Sequence, residues 1–179
     1  MRALAVVLGS AILLAYVASS AGALSLDYYD QTCPKLEFSV RGAVKKAMKN
    51  DNTVPAALLR MHFHDCFIRG CDGSVLLNST AKNTAEKDGP PNISLHAFYV
   101  IDLAKEAVEA QCPGVVSCAD ILALAARDAV ALSGGPHWDV PKGRKDGRIR
   151  KRMTQGNYQL RPSTSLNYSK LLSRGLSME

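Results

Sequence analysis

The chain has 179 residues, 47% of them hydrophobic and 21% charged, with a formal net charge of +6. That length allows one domain with a sizeable core and is short for two. The positive balance favours polyanionic partners, and the export signal read next argues against nucleic acid being one of them.

Met1 and Arg2 precede an apolar run, "ALAVVLGSAILLAYVA", and small residues ending "SSAGA", the order of a charged leader, a hydrophobic segment and a cleavage site. The pattern predicts a signal peptide over 1–23, cut after Ala23, and a secreted product. The apolar run falls slightly short of the roughly 20 residues that cross a bilayer, and no basic flank stops it, so no membrane span is expected. Subtracting 23 from 179 leaves 156 residues, 24–179, as one mostly helical domain carrying all five cysteines. In an oxidising compartment these should pair as disulfides, and because five is odd, one must stay free, bridge to another chain or lack its partner.

A first helix follows from Val40, Ala43, Val44, Ala47 and Met48, which recur at helical spacing while Lys45, Lys46 and Lys49 face elsewhere. A second begins near Thr53, whose hydroxyl is placed to cap the free amides, with Pro55 in the first turn before "AALLRMHFHDCF". The segment from 78 to 93, rich in Asn, Thr, Lys, Gly and Pro, reads as one long loop. A third helix runs from about Ser94 to Ala110 and stops at Pro113-Gly114. A fourth starts at Ser117, with Asp120 three residues on, and ends at Gly134-Gly135-Pro136. No segment alternates long enough for a strand, and no repeat is present.

The stretch "LLRMHFHDCFIRGCDGS", residues 58–74, concentrates histidine, cysteine, aspartate and arginine. A zinc site built on His62 and His64 would need a strand, because a helix separates i and i+2 by about 200°. On a helix the pair becomes Arg60 and His64, four apart on one face, with Phe63 beside them. A base, a cation and an aromatic wall then share one small volume.

With "EKDGPPN", "CPGVVSCADILALAARDAVALSGGP" and "VPKGRKDGRI", this stretch resembles consecutive blocks of the secreted plant haem peroxidases, class III, over about residues 26–150. The resemblance implies an all-α haem-peroxidase fold, of which this chain would be the distal half, and hydrogen-peroxide-dependent oxidation of small phenolic donors in the response to oxidative stress. Arg60 matches the distal arginine, Phe63 the distal aromatic wall, His64 the acid-base residue above the haem, and Asn92 the asparagine that fixes its tautomer. Glu86 matches the acid supporting that asparagine and joins the calcium region. The chemistry suits these types: an imidazole can take a proton from one peroxide oxygen and return it to the other, while a guanidinium stabilises the departing oxygen's charge. Haem b and calcium are the implied cofactors. Calcium would be held by Asp65, Asp72 and Ser74 with the carbonyls of Ile68 and Gly70, an oxygen-rich set suited to a hard cation.

The resemblance also implies pairs Cys33–Cys112 and Cys66–Cys71, with Cys118 unpaired because its family partner lies in a C-terminal half. On the chain-entropy estimate the first, long loop contributes roughly 4–5 kcal/mol and the second, short one about 2 kcal/mol. The chain is expected to stop before the segment bearing the proximal histidine, which none of His62, His96 and His137 matches. On that reading it is inactive alone, and the alternative is a secreted, calcium-stapled module that binds no haem.

Asn78 and Asn167 are the favoured glycan acceptors, while Asn92, also within an Asn-x-Ser pattern, is assigned instead to the buried hydrogen-bonding role. Beyond residue 150 the resemblance weakens: "LRPST" stands where a Pro-x-Pro segment is expected, leaving Pro162 as the candidate substrate contact. The basic run from Lys142 to Arg152 suggests attraction to acidic cell-wall polysaccharide. Location is expected outside the cell, in the wall or, alternatively, the vacuole.

Overall fold

The computed structural model describes residues 24–147 apart from 69. The expected signal peptide, Pro162, Asn167 and most of the basic tail lie outside these residues. Four helices form the frame: α1 (Leu36–Met48), α2 (Val54–Ile68), α3 (Phe98–Glu109) and α4 (Cys118–Leu132). The described residues contain no strand, only isolated antiparallel bridges between Ser25 and Lys142 and between Thr80 and Asn83. The expected all-α class is therefore what the chain adopts.

The frame is organised around α4. Its residues from Ala119 to Ala129 are all buried, and α1, α2 and α3 each pack against it. The alanines at 119, 123, 125, 126 and 129 carry little side-chain volume, so three neighbours approach one axis closely. The start of α4 is capped as the sequence predicts: Ser117 Oγ accepts the Asp120 amide at 3.2 Å. A distant second cap comes from Asp146, whose two oxygens accept the Cys118 and Ala119 amides at 3.0 and 2.9 Å. A carboxylate there also complements the positive end of the helix dipole.

α1 buries Leu36, Ser39, Val40, Val44 and Ala47, close to the expected face. α2 buries Val54, Ala57, Leu58, Met61 and Asp65 against the core, yet its other side is also apolar, with Leu59, Phe63 and Phe67 at 47%, 52% and 45% exposure. α3 buries Val100, Ile101, Ala104 and Val108.

Two helix starts differ from expectation. Thr53 does not cap α2; its hydroxyl donates to Asp51 Oδ1 at 2.6 Å, and Asp51 Oδ1 also accepts the Thr53 amide at 2.8 Å. α3 begins at Phe98, four residues after Ser94, because Ala97 takes a left-handed conformation, φ 65°, and residues 92–95 are closed into a turn by the bond from the Leu95 amide to Asn92 O. Within the expected long loop lies a 3-10 turn, Glu86–Asp88, and a second, Ser74–Leu76, precedes it.

Buried charges tie the two ends of the described segment to α4. Asp120 Oδ2 accepts from Tyr29 Oη at 2.9 Å and from the Gly143 and Arg144 amides at 2.7 and 3.1 Å, while Oδ1 takes Arg144 Nη1 at 2.9 Å. Burial, with the Asp120 charge adding to it, pushes the Tyr29 phenol up to about 12. A second network runs from Lys142 through Glu37 to Arg127, Asp128 and Arg41, linking residue 142, α1 and α4. Cys33–Cys112 joins the segment before α1 to the turn after α3, and Cys66–Cys71 closes the loop after α2. Both pairs are those the family resemblance implies, and Cys118 is unpaired. Burial and the nearby Asp146 raise its thiol above the usual cysteine range, which leaves it poorly reactive at neutral pH.

Candidate active site

α2 and residues 86–94 meet at two points. His64 Nδ1 lies 2.7 Å from Asn92 Oδ1, and Asn92 Nδ2 donates to the Glu86 carbonyl at 2.9 Å. One helical turn earlier, Arg60 Nη2 donates to Ser94 Oγ at 2.8 Å and Nη1 to the Ser94 carbonyl at 3.2 Å. The four-residue spacing of Arg60 and His64 is thus matched by the two-residue spacing of their partners.

These bonds decide a proton position. The Glu86 carbonyl can only accept, so the Asn92 nitrogen must face it and the amide oxygen must face His64. An amide oxygen also only accepts, so the neutral imidazole carries its proton on Nδ1 and keeps a lone pair on Nε2. The ring can therefore act as a base through Nε2. Phe63 stands edge-on to it, ring centres 5.9 Å apart at 74°, and Phe67 lies 5.1 Å beyond Phe63.

Of the side chains expected to hold calcium, Asp65 sits in the last turns of α2, and Asp72 and Ser74 follow in the segment after it. Asp65 is buried, and its oxygens accept the Gly73 and Val75 amides at 2.9 and 3.4 Å. Burial, then the Asp72 and Asp146 charges, pushes its carboxyl up to about 6. Asp72 Oδ1 takes the Ser74 amide at 3.1 Å, and buried Ser74 donates its hydroxyl to Glu86 Oε2 at 3.0 Å. Glu86 thus supports Asn92 through its backbone carbonyl, while its carboxylate serves Ser74. Among the described residues no three His, Cys, Asp or Glu side chains form a metal cluster; the set implied by the motif is mixed, including a hydroxyl and two carbonyls.

Three contributors were not visible in the sequence. Ser94 anchors the guanidinium, and its place two residues after Asn92 is the signal that could have found it. Asp146 acts on α4 and on Asp65, near the end of α2, from the far end of the described residues. At the loop, Asp72 O takes the Gly147 amide at 2.7 Å, and a side chain at Gly147 would run into the Asp72 carboxylate. His62 packs on the disulfide, its ring nitrogens 3.6 and 3.8 Å from Cys66 Sγ.

A family model described as peroxidase matches residues 40–178. The chain belongs to the peroxidase family. Similar peroxidases from Arabidopsis thaliana include Peroxidase 64, 68% identical over 93% of this chain and 53% of its own length. Peroxidase 66 is 54% identical over 93% of this chain and 52% of its length, and Peroxidase 1 is 60% identical over 72% and 39%. The chain spans about half the length of these curated peroxidases. The match agrees with the class III resemblance, and no helix among the described residues is long and apolar enough to cross a membrane.

His62 gives a pH-dependence. Burial, with the Arg144 charge as a smaller cause, lowers its imidazole from an ordinary value of 6.5 to about 4. Between those values the unfolded chain binds more protons than the folded one, so stability rises with pH through that window and falls on acidification. Urea titrations from pH 6.5 down to 4 should show His62→Gln losing less stability than the parent chain, by on the order of 2 kcal/mol. Parallel curves for the two would contradict the burial argument.

Proposed function

We propose that this chain supplies the peroxide-facing half of a secreted haem peroxidase that oxidises small phenolic donors with hydrogen peroxide. The observation that carries the reading is the His64–Asn92 bond, which leaves Nε2 as a base, with Arg60 anchored one turn away. The exposed apolar stripe Leu59, Phe63 and Phe67 fits a flat apolar group laid against α2. Haem b, when bound there, supplies the iron at which peroxide is reduced; Phe63 and Arg60 would lie on the side this chain covers.

The residues divide the proton work. His64 Nε2 takes the proton of the peroxide oxygen that will be retained and delivers it to the departing oxygen, so that water leaves instead of hydroxide. Asn92 keeps Nδ1 protonated throughout and thereby holds the ring in one orientation. Arg60 stabilises negative charge on the departing oxygen, and Phe63 limits the room above the reacting atoms.

Calcium belongs to this proposal. The buried oxygens of Asp65 and Ser74, with Asp72, offer hard ligands at the C-terminal end of α2, where a dication would offset the clustered acids Asp65, Asp72 and Asp146. An ion there would hold the loop that follows His64. Residues 1–23 are read as the export signal, exposed Asn78 as a glycan acceptor, and the net charge, +6 for the whole sequence and +5 once Arg2 leaves with that signal, as an attraction to acidic wall polysaccharide that added salt weakens.

In a haem-loaded protein containing this chain, His64→Ala should slow the reaction with peroxide by about 10²–10⁴-fold, the usual contribution of general acid–base catalysis, with little change in haem affinity. Stopped-flow mixing with peroxide reads this directly, and a variant within a few-fold of the parent would refute the role of His64.

Removing calcium with excess chelator should lower the melting temperature, and Asp72→Asn should blunt that response. An unchanged melting curve, with metal loss confirmed by elemental analysis, would refute the calcium assignment.

A further inference from the structure

Residues 92–94 read Asn-Ile-Ser, the acceptor pattern for an N-linked glycan. In the folded chain both chemical ends of that pattern are already in use. Asn92 is 1% exposed, with Nδ2 on the Glu86 carbonyl and Oδ1 against His64. The Ser94 hydroxyl accepts from Arg60. The backbone is closed as well: the Asn92 amide donates to Gly89 O, and the Leu95 amide to Asn92 O, both at 2.8 Å. A sugar on Nδ2 would occupy the space now filled by the Glu86 backbone. Asn78 is the contrast, an exposed side chain whose oxygen accepts from Lys87 at 3.1 Å.

We infer that Asn92 is a glycosylation site only until its segment folds, so that sugar transfer to Asn92 and assembly of the His64–Asn92–Glu86 chain exclude one another. The donor is a lipid-pyrophosphate-linked oligosaccharide. A bond forms between the sugar C1 and Nδ2, the bond from C1 to the pyrophosphate oxygen breaks, Nδ2 gives up one proton, and the lipid pyrophosphate departs. A chain modified in this way has a bulky substituent where the buried amide should sit, and His64 loses the acceptor that fixes its proton. The outcome is set by timing. Residue 92 lies inside the loop closed by Cys33–Cys112, which ties the segment before α1 to the end of α3, so slow closure of that disulfide prolongs exposure of the acceptor.

This inference needs a secretory route and the fold described above, but no haem and no catalysis, so failure of the peroxide experiment would leave it standing. The test uses the chain from Leu24 onward behind a cleavable signal sequence, translated with endoplasmic-reticulum microsomes. Asn78→Gln and Asn167→Gln leave Asn92 as the one Asn-x-Ser/Thr acceptor. A mobility shift removed by endoglycosidase, and abolished by Ser94→Ala, reports occupancy. Occupancy should be low under oxidising conditions and rise several-fold when reductant delays disulfide closure. A version retaining Asn78 alone should be modified equally in both conditions. After reoxidation, chains modified at Asn92 should stay sensitive to trypsin while unmodified chains become resistant. Equal occupancy of Asn92 with and without reductant, whether high or absent, would overturn the inference, as would equal trypsin resistance of the two forms.

Discussion

One buried amide holds the candidate site together. Asn92 donates to a backbone carbonyl that can only accept, so its own oxygen is turned to the imidazole and the imidazole must be the donor there. Its orientation therefore follows from hydrogen-bond chemistry alone, and the tautomer of His64 follows from its orientation. Because Asn92 is buried, losing either bond would leave a polar group unsatisfied away from water, which gives the arrangement a free-energy cost to break. Residues 86–94, irregular in backbone, are thus fixed relative to a helix. Ser94 repeats the device for Arg60 with a weaker, exposed pair.

What makes that geometry stable lies elsewhere, in α4. Its alanines let α1, α2 and α3 close around one axis, and its N-terminus is satisfied twice, by Ser117 locally and by Asp146 from residue 146. Asp146 also acts on Asp65, so the same carboxylate that caps α4 adds negative charge beside the loop that follows His64. The close approach of Gly147 to Asp72 joins the two places physically. A cation in that loop would be held between α2 and α4, which is why the proposed calcium and stability are expected to be linked.

Helical faces were legible in the sequence because they depend on spacing: Val40, Val44 and Ala47 are buried where the period puts them, and Ser117 caps α4 as its type and position suggest. The family motifs named the residues of the site but not always the atoms they use. Glu86 was expected to support Asn92 as an acid and does so through its backbone carbonyl. Thr53 is expected to cap α2, and its hydroxyl is found donating to Asp51, a side-chain neighbour that helix-start patterns do not consider. The late start of α3 rests on a left-handed Ala97, a conformation alanine rarely adopts and sequence pattern does not flag. On a helix His62 has no place in a zinc pair with His64, and its position against the Cys66–Cys71 disulfide arises only from tertiary packing. Asn78 and Asn92 share one acceptor pattern, and only their burial separates them.

Asn92, oriented by the Glu86 carbonyl, fixes the proton of neutral His64 on Nδ1. Nitrogen-15 spectra of the histidine rings, taken at a pH where His64 is neutral, measure this without reference to turnover. The predicted result is a single Nδ1-protonated tautomer for His64 that gives way to a mixture in Asn92→Val, which keeps the bulk and removes the acceptor. An Nε2-protonated ring in the parent chain, or a mixture that Asn92→Val leaves unchanged, would contradict the account.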